Sequence, residues 1–80
     1  MKEILINLIE AKKAKVKNKA FISRYFKPAI QIINKVYETQ YDEFTKIKIL
    51  FLYFKDNDIF FDIGIILEEI LYVRKLYNEN

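Results

Sequence analysis

Lys46-Ile47-Lys48-Ile49-Leu50-Phe51-Leu52-Tyr53-Phe54, followed by Lys55-Asp56-Asn57-Asp58 and Ile59-Phe60-Phe61, decides the fold of this 80-residue chain. The run is rich in strand formers and partly alternates, so Lys55–Asp58 can be drawn as the loop of a β-hairpin around residues 46–62, giving an α+β fold. The same residues also satisfy a helix: Phe44, Ile47, Phe51 and Phe54 fall on one face at 3.6-residue spacing. The second reading is preferred, because one glycine and one proline leave the chain few breakers, which favours long helices over many short strands.

Working outward, four helical segments follow. The first, Lys2 to about Lys17, carries an apolar stripe of Leu5, Leu8 and Ile9, with Asn18 expected as a left-handed cap at its end. The second, about Ala20 to Glu38, repeats Ile22, Phe26, Ala29 or Ile30, Ile33 and Tyr37. Pro28 either starts it or kinks it after a short turn capped by Ser23. The third, Asp42 to Lys55, is capped by Thr39 or Asp42. The fourth runs from Asp58 as N-cap to about Tyr77, with Ile59, Ile63, Ile66, Ile70, Val73 and Tyr77 as its core stripe and Glu68, Glu69 and Lys75 outside it. The expected fold is all-α, a small bundle of about four helices forming a single domain over residues 1–80.

Composition narrows the class. Apolar residues make up 52% of the chain, including 14 Ile, 7 Leu, 7 Phe and 6 Tyr, which disfavours disorder. So much apolar surface in so short a chain leads to the expectation that some of it lies against a partner or a second copy. Lys outnumbers Arg 12 to 2, and Ile, Lys, Asn, Tyr and Phe supply 45 of 80 residues. These residues have A/T-rich codons, pointing to an AT-rich genome, phage or plasmid, and the bias lowers the functional weight of the lysines. The longest apolar run, Ile49–Phe54, is far short of a membrane span. Glu3 and Glu10 suit neither a secretory signal nor a transit peptide, so a cytoplasmic location is expected.

Chemistry is poorly provided for. Histidine and cysteine are absent and Ser23 is the sole serine, so no nucleophile has an activating base. Gly64 stands inside an apolar stretch and reads as a site of close packing. Glu68 and Glu69 are adjacent and point about 100° apart on a helix, so they do not form a carboxylate pair. Asp56, Asp58 and Asp62 have the spacing of part of a calcium loop, but Phe60, Phe61 and Leu67 stand where an oxygen ligand, a glycine and a glutamate are required. No catalytic residue, cofactor or metal is expected.

Two surfaces carry the functional expectations. Lys12, Lys13, Lys15, Lys17, Lys19, Arg24 and Lys27 form a basic segment with no acid, interleaved with Phe21, Tyr25 and Phe26. The first forty residues carry net charge +6 and the last forty −3. The arc of these cations fits the Leu5–Ile9 stripe only if the helix breaks near Lys17–Lys19. The last helix adds a second apolar face, Phe61, Ile65 and Tyr72, beside its core stripe. Tyr25, Tyr41, Tyr53 and Tyr72 are aromatic anchors if exposed. The expected role is a small non-enzymatic helical protein-interaction module of inhibitor, immunity or accessory type, self-associating as a homodimer, with Phe61, Ile65 and Tyr72 at the contact. The alternative is a nucleic-acid-binding accessory or regulator, in which the seven cations and Tyr25 contact phosphates and bases.

Overall fold

The computed structural model describes Met1 to Asn78, and its side chains to Tyr77. It is all-α, with four helical rods and no strand among the described residues. The chain forms two compact units, Met1–Thr39 and the part from Gln40 onward.

In the first unit, α1 (Lys2–Lys13) packs against α3 (Lys27–Glu38) and the turn before it. Helix α1 ends earlier than its pattern predicts. The amides of Lys15 and Val16 bond carbonyls only three residues back, at 3.1 and 3.0 Å, which tightens and closes the turn. Asn18 is not a left-handed cap. Its backbone is extended (φ −78°, ψ 111°), and Oδ1 accepts the amides of Ala20 and Phe21 at 2.9 and 3.1 Å, so it opens the next helix. Ser23 therefore caps nothing here: from Asn18 the chain stays helical through α2 (Lys19–Phe21), a wide turn (Ile22–Phe26) and α3.

Pro28 explains that turn. Lacking an N–H, it leaves the Arg24 carbonyl without the α-helical donor, and its ring crowds that carbonyl. The widened turn, in which the Lys27 amide bonds Ile22 five residues back, makes room without breaking the rod. The fully buried side chains of the unit are Leu5, Ile9, Phe26, Ala29 and Ile33, with Val36 nearly so. Val36 takes the place expected of Tyr37, which is half-buried.

The second unit is a helical hairpin of α4 (Glu43–Phe54) and α5 (Phe61–Asn78). Thr39 closes α3, its Oγ1 donating to the Val36 carbonyl at 2.6 Å, and Asp42 caps α4 by accepting the Thr45 amide at 2.8 Å. Hydrogen bonds from Thr45, side chain and backbone, hold the Asp42 carboxyl below its usual pKa, favouring the ionised cap. The stretch 46–54 is thus helical, burying Ile47, Leu50 and Phe54 at i, i+3 and i+7, while Phe44 and Phe51 are half-buried. A lone two-stranded hairpin covers one face at most, whereas the helical hairpin shields residues from both arms.

Residues 55–60 form a tight helix-to-helix connection. The Asn57 amide bonds Phe54, Asn57 Oδ1 accepts the Ile59 amide at 2.9 Å, and the Phe60 amide returns to the Asn57 carbonyl. Asp58 is not the N-cap of α5, which starts three residues later. The buried face of α5 also departs from the expected stripe: Phe60, Ile63, Gly64 and Leu67 are inside, Ile59, Ile66 and Ile70 are half-buried, and Val73 and Tyr77 are exposed. Gly64 sets this phase. A Cβ there would lie 3.0 Å from Lys55 Cα, 3.3 Å from Lys55 N and 3.4 Å from the Phe54 carbonyl carbon. The two backbones meet closely at that point, and the Phe54 and Phe60 rings pack edge-to-face between the same helices with centroids 5.4 Å apart.

Candidate interaction surfaces

The seven cations lie on consecutive parts of the first unit: Lys12 and Lys13 end α1, Lys15 and Lys17 line the turn, Lys19 stands on α2, Arg24 on the wide turn and Lys27 at the start of α3. The break required by their arc is present, and the helix is interrupted at residues 14–18. Lys13 is paired with Glu10, Nζ to Oε2 at 3.0 Å, one turn back along α1. Lys15, Lys17, Lys19, Arg24 and Lys27 are exposed.

The aromatics among them face differently. Phe26 is core. Phe21 is half-buried between Phe26 and Tyr25, with ring centroids 6.2 and 4.7 Å away, and Tyr25 carries the Arg24 guanidinium 5.4 Å above its ring. The ring pairs are tilted by about 50° and do not lie parallel, so the three aromatics do not form a flat stacking platform. An open groove of about 360 Å³ between Lys13, Ile22, Ser23, Lys27, Ile30 and Gln31 adjoins the patch.

The outer side of α5 is different in kind. Phe61, Ile65 and Tyr72 are 57%, 40% and 64% exposed, and Leu76, absent from the expected set, continues their line at 46%. At 100° per residue these four span about 60°, opposite the Ile63–Leu67 face. Val73 and Tyr77 widen the exposed apolar surface to one side. Glu68 and Lys75, seven residues apart, border the stripe on its other flank. That flank opens into an apolar groove of about 220 Å³ whose walls include Phe44, Phe51 and Leu52 of α4 and Leu71 and Tyr72 of α5. Leu52, Tyr53 and Tyr41 are also exposed, so three of the four predicted tyrosine anchors reach the surface, and Tyr25 is half-buried.

Among the described residues no polar side chain is buried, and no three acids come together as a metal site. No described helix is long and apolar enough to cross a membrane. The chain matches no protein-family model, no curated protein and no solved structure. The class that fold and surface define is a small all-α protein with an uncovered apolar helix face.

Proposed function

We propose that this chain is a helical protein-interaction module that works by binding, through the outer face of α5, and that it self-associates. One observation carries the reading: Phe61 and Ile65, then Tyr72 and Leu76 beyond Glu68 and Glu69, are exposed along one face of a helix whose opposite side is already packed. Single exposed apolar residues are ordinary, but four large ones aligned on one helix face and bordered by charge are a cost in water that contact with another protein removes. Tyr72 supplies the kind of large, stiff anchor that dominates such contacts.

Nucleic-acid binding through Lys15, Lys17, Lys19, Arg24 and Lys27 is the second reading, favoured by their common exposure on the unit of net charge +6. The two readings differ in their response to salt. Binding through about five phosphates weakens by a few powers of ten when salt is raised fourfold, whereas apolar association barely changes. Light scattering of the full chain, alone and with a generic oligonucleotide at low and high salt, should give twice the single-chain mass in both salts and no added mass from the oligonucleotide in either. A strict monomer that binds the oligonucleotide only at low salt would reverse the ranking.

A further inference from the structure

We propose that the occupant of the α5 face is the α5 of a second copy, packed antiparallel about a dyad midway between Leu71 and Tyr72. The inference rests on the interaction reading above and fixes its partner and register. The charges bordering the stripe determine both. Glu68 and Lys75 stand on the same flank of α5, two turns apart. In an antiparallel helix pair like flanks meet, so a register that lays Glu68 on Lys75 of the second copy also lays Lys75 on its Glu68, and symmetry makes both contacts at once. A parallel pair in register instead turns this flank toward the opposite one of the second copy, where Glu69 stands, so Glu68 meets an acid and no Glu68–Lys75 contact forms.

That register also suits the apolar residues. The paired length runs from Ile65 to Asn78, about 20 Å of helix. Tyr72 lies at the dyad beside its own counterpart, and Leu76 fits between Ile65 and Glu69 of the second copy. Leu52, 52% exposed on α4, and the groove between Phe44, Phe51 and Leu71 extend the contact beyond α5 on the flank where the charges meet. Phe61 falls outside the overlap, so of the three residues first expected at a self-contact, Ile65 and Tyr72 take part and Phe61 does not.

Charge reversal tests the register without touching an apolar anchor. Glu68→Lys and Lys75→Glu are each made in the full chain, then combined, and the dimer dissociation constants are compared by sedimentation equilibrium. Each single reversal turns two attractions into two repulsions and should weaken the dimer about ten-fold, while the double variant, with both pairs restored in the opposite sense, should return to wild-type affinity. Far-UV circular dichroism establishes that each variant keeps its helicity. A wild-type dimer unmoved by either single reversal, or a double variant weaker than both singles, overturns this register and leaves self-association standing. A wild-type chain that stays monomeric at every concentration overturns both.

Discussion

Gly64→Val is expected to melt well below the wild-type chain, by about 10–20 °C, in a thermal unfolding scan followed by circular dichroism. The new side chain has nowhere to go: its Cβ alone would stand 3.0 Å from Lys55 Cα and 3.3 Å from Lys55 N, both backbone atoms that no rotamer change can move. Relief requires α4 and α5 to part at the point where Phe54 and Phe60 hold them together. Overpacking of this kind costs about 1–3 kcal/mol, and in a domain of this size each kcal/mol lowers the melting temperature by about 4–8 °C. Gly64→Ala should fall between, since the helix propensity gained, up to about 1 kcal/mol, offsets part of the contact. A Val variant as stable as wild type would show that the two helices do not meet at Gly64.

Tyr72→Asp should have the opposite profile, with helicity and melting temperature kept in dilute solution and association lost. The ring is 64% exposed, so its removal leaves the packed face of α5 intact. In the antiparallel pair it stands at the dyad, where the substitution deletes an aromatic anchor from each copy and brings two carboxylates together. Central aromatic anchors are worth 2 kcal/mol or more on truncation, and the added repulsion brings the expected loss to at least about 100-fold in dissociation constant, read by sedimentation velocity. A variant that dimerises as tightly as wild type would show that the contact lies elsewhere.

The sequence reveals the helices better than it reveals their faces. Breaks are chemically explicit: Asp42, the Lys55–Asp58 cluster and Asn18 each interrupt an apolar pattern with a side chain able to bond backbone amides. What Asn18 does at its break is not legible in the sequence, because an asparagine serves equally at either end of a helix and only its φ and ψ decide. The phase of α5 is likewise hidden in the sequence. With Ile59, Phe60, Phe61, Ile63, Ile65, Ile66, Leu67, Ile70, Leu71, Tyr72, Val73, Leu76 and Tyr77 all apolar, several stripes fit equally well. The smallest residues carried the missing signal. Gly64 marks where α5 touches α4, and Ala29, fully buried beside a half-buried Ile30, marks the packed side of α3. Phe61, Ile65 and Tyr72 are legible as a second face because they fall off the first stripe, whereas Leu76 lies among Val73 and Tyr77, which the core stripe claims, and nothing in the sequence sets it apart.

Two-dimensional amide NMR of the full chain across a dilution series tests association through the outer face of α5 residue by residue. Dilution from the associated to the dissociated range should shift the amides of Ile65 to Leu76, with Leu52 on α4, and leave the basic segment from Lys12 to Lys27 in place. Shifts confined to that basic segment, or a spectrum unchanged at every concentration, would contradict it.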